Sequence, residues 1–193
     1  MYKMCKTEQS AARQRELELG LLRAMETVRY EDISVSDLCD RLQIPRKSFY
    51  RYFVSKDGAL HALLDHTLME FAQFTMNYEN NARTVQLDLE RFFQFWMEHR
   101  ALLDVLTRDG LTGMLIERAT IYALNDEIIP RRFLQGDTQE MQQHITMFGV
   151  CGLMSMVLTW HHSAFAKPAY EMAVIAVRML SKPLFPNADQ YIL

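Results

Sequence analysis

The sequence predicts an all-α protein in which an N-terminal three-helix domain is joined to a larger helical domain. Glycine and proline, the residues that most often interrupt helices, account for only 7 and 5 of the 193 residues. Apolar residues recur every three or four positions almost throughout, which is the spacing of one helix face. Hydrophobic residues make up 49% of the chain and charged residues 23%, as in ordinary globular proteins.

The first helix is predicted by an apolar stripe at helical spacing: Leu17, Leu21, Ala24, Met25 and Val28. Residues 30–33 interrupt this stripe. Ser34 is then a good N-cap for a short second helix, and Asp37 completes a capping box three positions later. The buried face of the second helix is predicted to be Val35, Leu38, Cys39 and Leu42.

Pro45 predicts the start of a third short helix, which ends near Phe53. On a helical wheel, Phe49 and Phe53 fall on one side and face the neighbouring helices. A short helix, a three-residue turn and a second short helix with an outward basic face form the helix-turn-helix layout. The outward face carries Lys47, Ser48, Tyr50 and Arg51.

A fourth helix is predicted to follow the cap Ser55 and to run to about residue 77, with Leu60, Leu63, Leu64, Leu68 and Phe71 inward. Further helices are expected near 84–99, 101–108, 111–124, 138–163 and 168–181. We expect a loop over 126–137 and an end of ordered structure at Pro183 and Pro186. The predicted domains are 1–56 and 57–193.

Positive charge is concentrated in the N-terminal domain. Residues 1–56 carry 11 Lys and Arg against 8 Asp and Glu, whereas residues 57–193 carry 10 against 16. The like-charged pair Lys47 and Arg51 and the cation Lys56 at a helix N-terminus both oppose helix stability, unless an anion such as phosphate binds there. The alternative is a basic helix face that is simply solvated.

The stretch ISVSDLCDRLQIPRKSFYRYFVSKDGAL resembles the DNA-binding module of the tetracycline-repressor (TetR) family. Tyr50, Tyr52, Phe53, Ser55 and Lys56 match its Tyr-x-Tyr-Phe-x-Ser-Lys run, and the resemblance covers about residues 9–75. The sequence departs from the family where Gln43 replaces the usual turn glycine, where Pro45 replaces the usual Ser or Thr cap, and where Lys47 replaces a small residue. Gln43 is strained if its φ angle is positive.

The resemblance implies a homodimer that binds a pseudo-palindromic double-stranded DNA operator through domain 1–56. By position, the phosphate contacts are Tyr50, Lys56, Ser34 or Ser36, with Tyr52 at the boundary between core and phosphate. The candidates for base edges are Arg46, Lys47, Ser48 and Arg51, because arginine pairs well with guanine. Lys3, Lys6, Arg13 and Arg15 are candidates for further backbone contacts.

Residues 141–166 contain no Asp, Glu, Lys or Arg. The strongly apolar part, 145–160, is shorter than the roughly 20 residues that a bilayer requires, so we expect no membrane span. We expect instead that the helices near 138–163 and 168–181 form half of a four-helix bundle across a two-fold axis. The small residues Gly149, Gly152 and Ser155 would let a partner helix approach closely.

The resemblance also implies a pocket for a small hydrophobic effector in domain 57–193. The candidate ligand contacts are Phe92, Trp96, His99, Arg100 and Tyr122, and a buried Arg100 would need an anionic partner. The alternative is that these aromatic residues are plain core.

No hydrolase, P-loop, paired-cysteine or metalloprotease motif is present, so we predict no enzyme, cofactor or metal. The three cysteines are odd in number and far apart, and no export leader opens the chain, which predicts reduced thiols in the cytoplasm. The predicted function is a ligand-responsive transcriptional regulator, most often a repressor in the family. The alternative is a TetR-like interaction protein whose helical domain binds a protein partner without a small effector.

Overall fold

The computed structural model describes residues 2, 5, 7–76, 84–125 and 138–181. Over these residues the chain is all-α, as predicted, and its β structure is limited to one antiparallel bridge between Tyr2 and Phe53. A short 3-10 helix spans Tyr30–Asp32. The α-helices are α1 (Glu8–Thr27), α2 (Val35–Arg41), α3 (Arg46–Tyr52), α4 (Lys56–Met76), α5 (Val85–Glu98), α6 (Arg100–Arg108), α7 (Thr112–Asn125), α8 (Gln139–His162) and α9 (Ala169–Ser181).

Side-chain caps fix where several helices begin. The hydroxyl oxygens of Thr7, Thr84 and Thr138 each accept a hydrogen bond from the backbone N–H three residues later. At α2 the predicted capping box is present: Ser34 Oγ accepts from the Asp37 N–H at 3.1 Å, and the Asp37 carboxylate accepts from the Ser34 N–H at 3.2 Å. These caps satisfy N–H groups that have no partner within the helix.

The N-terminal domain is built around the predicted apolar stripe of α1. Leu21 and Met25 are fully buried, as are Leu38 of α2 and Phe49 of α3. A Cβ atom at Gly20 would lie 2.6 Å from Leu42 Cδ2, so the absence of a side chain at residue 20 makes room for the Leu42 side chain against α1.

The larger domain is a layered helical bundle. Helix α5 packs on α9 and α7 packs on α8, while α4 packs against α1, α5 and α7. Trp96 and Phe93 of α5 and Leu103 and Leu106 of α6 form the centre of its core. Because α4 packs against helices on both sides of the boundary, the division at residue 56 stays a prediction.

Two predictions concern residues outside this description: the loop over 126–137 and the end of order at Pro183 and Pro186. Within the described ranges no helix is long and apolar enough to cross a bilayer. The connection between α8 and α9 contains two consecutive residues with positive φ, Ala164 at 55° and Phe165 at 58°.

Candidate nucleic-acid interface

Helix α3 is anchored by aromatic rings on one side and open on the other. Phe49 and Phe53 are fully buried, and their ring centroids lie 5.1 Å apart. Arg46, Lys47 and Arg51 are exposed, and none of the three forms an ion pair with another described residue. Half of the Tyr50 surface is also exposed. The predicted orientation of α3 is therefore confirmed.

The turn between α2 and α3 contains the strained residue that the sequence indicated. Gln43 has a φ of 52°, in the left-handed region that favours glycine. The Ile44 N–H donates to the Cys39 carbonyl at 3.0 Å, and the Ile44 side chain is buried, so both hold the turn closed. Pro45 precedes α3 in extended backbone (φ −63°, ψ 140°) rather than lying inside its first turn.

Ser34 is already committed to capping α2. Its hydroxyl donates to the Asp37 carboxylate at 2.5 Å. The hydrogen bond from the Ser34 hydroxyl and a second one from its backbone N–H lower the pKa of Asp37 below the ordinary value of 3.8. Because the Ser34 hydroxyl is bound to Asp37, the half-buried Ser36 is the more available of the two predicted serine contacts.

Lys56 has partners within the chain. Its ammonium group donates to the carbonyl of Tyr30 and, at 3.4 Å, to that of Glu31, and it lies 4.2 Å from the centre of the Tyr30 ring. These contacts account for a lysine at the start of α4 without any bound anion. Tyr52 is 6% exposed, so its ring belongs to the core.

Arg13 and Arg15 of α1 are less available than the basic residues of α3. Lys3 and Lys6 lie outside the described residues. Arg13 is paired with Glu16 at 2.5 Å on the surface of α1. Arg15 forms ion pairs with the buried Glu18 of α1 at 3.2 Å and with Glu70 of α4 at 2.6 Å, so it links α1 to α4.

The last two helices leave an apolar face exposed. On α8 this face includes Phe148, which is 66% exposed, and Gly152, where an added Cβ atom would meet nothing within 4 Å. Ser155 is also exposed, whereas Gly149 is buried inside the protomer. Further large apolar side chains are exposed on the two helices: Met141, Met147, Tyr170, Met179 and Leu180. The predicted subunit interface lies on these two helices and stays a prediction.

No protein-family model matches the sequence, and no curated protein matches it either. Solved structures do match. The fatty acid degradation regulator FadR from Bacillus halodurans has a TM-score of 0.62 at 16% identity, covering 94% of this chain and 98% of that one. The dihydroxyacetone kinase operon activator DhaS has a TM-score of 0.57 at 16% identity, covering 88% and 94%. The TetR family repressor AlkX from Dietzia sp. strain DQ12-45-1b, implicated in biodegradation of n-alkanes, has a TM-score of 0.56 at 14% identity, covering 87% and 93%.

This chain has a TetR-like fold. In this fold, α2 and α3 correspond to the two helices of a helix-turn-helix, and the exposed basic helix α3 is the second of them. The resemblance first noted over residues 9–75 thus extends, as a likeness of fold, to the whole helical bundle.

In the larger domain of this TetR-like fold, only some of the candidate ligand contacts come together. Trp96 is 1% exposed and its indole N–H has no hydrogen-bond partner among the described residues. The His99 ring lies 6.4 Å from the Trp96 ring and stacks on Phe95 at 4.0 Å. Phe92 is half-buried in edge-to-face contact with Phe71 at 5.7 Å. Tyr122 is half-buried on α7.

Arg100 does not continue the buried face of α5. Its side chain is 56% exposed, lies 3.7 Å from Asp104 and is placed over the Phe165 ring at 5.7 Å. The reason is a change of direction at His99, which ends α5 and begins α6 with a ψ of 28°. The cation that α5 does bury is Arg91, at 6% exposure, which the sequence analysis had not singled out.

Three connections between distant segments were not found from the sequence, and two of them, those of Tyr2 and Tyr30, join the two predicted domains. Arg118 of α7 binds Asp65 of α4, and Tyr2 binds the same carboxylate. Asp109, after α6, accepts from the Tyr30 N–H. No group of three or more metal-binding side chains occurs among the described residues.

Proposed function

We propose that this protein is a DNA-binding transcriptional regulator of the TetR type, acting in the cytoplasm as a homodimer on a pseudo-palindromic operator. One observation carries the proposal: α3 is anchored by Phe49 and Phe53 and presents an uncovered basic face. An exposed cationic helix in a helix-turn-helix is suited to the major groove of DNA. The contacts are assigned to Ser36, Arg46, Lys47, Ser48, Tyr50 and Arg51.

Ser34, Tyr52 and Lys56 complete the set predicted from the resemblance, and to them we assign the positioning of that face. Ser34 caps α2, and Tyr52, the last residue of α3, packs into the core. Lys56 binds the carbonyls of the 3-10 helix. Phosphate contact by Ser34 or Lys56 would first have to break their hydrogen bonds within the chain, and contact by Tyr52 would require its ring to leave the core.

Dimerisation is proposed through the apolar face of α8 and α9. Phe148 and the open strip at Gly152 and Ser155 fit close packing against the same face of a second copy, because two-fold symmetry requires a self-complementary surface. Two reading helices about 34 Å apart can then enter successive major grooves.

DNA binding is tested by selecting duplexes from a random-sequence pool with the wild-type chain and measuring the affinity of the selected duplex at several salt concentrations. The variant is Lys47→Ala with Arg51→Ala, and the matched control is Arg23→Ala with Lys167→Ala, which removes the same charge from exposed positions outside α3 and outside the proposed dimer surface. We expect the first pair to lose binding and the control to keep it. Failure of the wild type to enrich any duplex, or equal losses in both pairs, would refute the proposal.

For the effector, we propose a small, largely apolar molecule with one hydrogen-bond acceptor, bound beside Trp96 and His99. Phe92 and Tyr122 are proposed as further apolar contacts, and Arg100 lies at the exposed edge of this site. The buried indole N–H that lacks a partner favours this over the reading in which a protein partner replaces the effector. A thermal-shift screen of apolar acids, esters and ketones tests it. A stabilising compound whose effect is lost in Trp96→Phe supports the proposal, and a screen without stabilising compounds favours a protein-binding role.

A further inference from the structure

Tyr2 joins the N-terminal segment to the end of α3. Its backbone pairs with that of Phe53 in an antiparallel bridge. Phe53 is fully buried and is the residue at which α3 ends. The bridge therefore holds the backbone at the C-terminal end of the proposed reading helix, in the short connection between α3 and α4.

The side chain of Tyr2 reaches into the larger domain. Its hydroxyl donates to Asp65 Oδ2 at 2.8 Å, and its ring lies 6.2 Å from that of His66 on the same helix, α4. Burial, followed by the bond to the Asp65 carboxylate, raises the pKa of Tyr2. The hydroxyl therefore stays protonated and remains a donor.

Arg118 of α7 binds the same carboxylate from the other side. Its Nε and Nη2 atoms lie 2.6 Å from Asp65 Oδ1 and Oδ2 in a bidentate pair, which fixes orientation as well as distance. Asp65 is only 6% exposed, so these two partners, rather than water, bind its carboxylate. A displacement of Arg118 therefore shifts the carboxylate that also accepts the hydrogen bond from Tyr2.

We propose that Tyr2, Asp65 and Arg118 form a tie that positions α3 relative to α7, with Tyr2 and Arg118 as positioning residues for DNA binding. The proposal rests on the proposed function for its consequence, but its geometry does not. Helix α4 follows α3 in the chain and is joined to it at its own N-terminus. The tie adds a second path, from α7 through one carboxylate to the backbone at the end of the reading helix.

The test is amide hydrogen exchange in the full chain without DNA, for Tyr2→Phe, Arg118→Gln and the double variant. Tyr2→Phe removes one hydroxyl and keeps the ring, so the fold is retained. Arg23→Gln is the control, since its side chain is exposed on α1 and lies outside the proposed dimer surface. We expect the amides of residues 49–55 to exchange about ten-fold faster in each single variant, the scale of one lost hydrogen bond to a charged group. Exchange at 150–157 in α8 should stay unchanged.

Two results would overturn the tie. Equal acceleration of exchange at 49–55 and 150–157 would indicate a loss of global stability only. Additive effects in the double variant would indicate that Tyr2 and Arg118 act independently. A second readout is affinity for the duplex selected by the wild type. Tyr2→Phe should weaken it about five-fold with an unchanged salt dependence, because Tyr2 contacts no phosphate. Unchanged affinity in Tyr2→Phe would count against the tie. If the wild type selects no duplex, the proposed function is refuted, and the exchange experiment alone decides whether the tie exists.

Discussion

The backbone N–H of Tyr30 donates a 2.9 Å hydrogen bond to the carboxylate of Asp109. Next to it, Arg108 Nη2 donates to the carbonyls of Met25 and Val28 at 2.7 and 3.1 Å. Two consecutive residues, Arg108 at the end of α6 and Asp109 just after it, thus bind both the end of α1 and the start of the 3-10 helix. Since the Tyr30 carbonyl in turn accepts from Lys56, this contact connects α6 with the base of the helix-turn-helix.

Asp109→Asn is expected to destabilise the protein by about 1–3 kcal/mol, because the buried site keeps its shape but loses the charge that holds Arg108 and the Tyr30 N–H. Urea unfolding measures the change. Glu98→Gln, at an exposed position of α5, is the control for removing a carboxylate. Equal stability of the two variants would show that Asp109 is not a structural link.

The same carboxylate gives the fold a defined pH dependence. The Arg108 guanidinium, helped by the Tyr30 N–H and Arg29, lowers the pKa of Asp109 below the ordinary 3.8. A lowered folded-state pKa contributes stability above the unfolded value that is lost as the pH falls through the folded value. Between about pH 5 and pH 3, we expect wild-type stability to fall more steeply than that of Asp109→Asn. Parallel curves in urea unfolding at several pH values would contradict this.

Gln43→Gly is expected to stabilise the protein by about 0.5–1 kcal/mol. A side chain at a φ of 52° costs about 1–2 kcal/mol, of which glycine returns part through its greater freedom in the unfolded chain. Gln143→Gly, at an exposed position inside α8, is the matched control and should destabilise by about 1 kcal/mol. Thermal unfolding of both variants checks the prediction, and a loss of stability in Gln43→Gly would remove the strain argument.

The N-terminal domain was predictable because its signals are local. The capping box at Ser34 and Asp37 and the spacing of Phe49 and Phe53 each involve residues within one turn of helix. The strain at Gln43 was anticipated for the same reason, since the resemblance placed a glycine at that position.

Contacts between distant segments were not predictable. Lys56 binds carbonyls 25 and 26 residues earlier in the chain, and no sequence pattern marks a backbone acceptor. The exposure of Arg100 follows from the bend at His99, where neither glycine nor proline announces a break. The pairing of Arg118 with Asp65 joins residues 53 positions apart, so it emerges only once α4 and α7 are packed together.

Arg51→Ala and Lys56→Ala should separate reading from positioning. For Arg51→Ala we expect a loss of about 1–3 kcal/mol in affinity and a relaxed preference at one operator position. For Lys56→Ala we expect lower thermal stability with little change in the salt dependence, because its ammonium binds carbonyls rather than phosphate. Binding titrations over a salt series, with Lys47→Ala as the reference for a basic residue on the open face of α3, measure both effects. If Lys56→Ala flattens the salt dependence by about one unit, Lys56 is a phosphate contact after all.

Phe148→Asp tests the proposed dimer. Placing a carboxylate at the centre of an apolar interface leaves it without a partner, which costs about 2–5 kcal/mol and raises the dimer dissociation constant about 30-fold or more. Ile121→Asp, a change of the same kind at an exposed apolar residue of α7, is the control. Sedimentation equilibrium should find the Phe148 variant monomeric at concentrations where the wild type and the control are dimeric, and the monomer should lose operator affinity because only one reading helix remains. A wild type that is itself monomeric, or a Phe148 variant that stays dimeric, would move the subunit contact away from this face of α8.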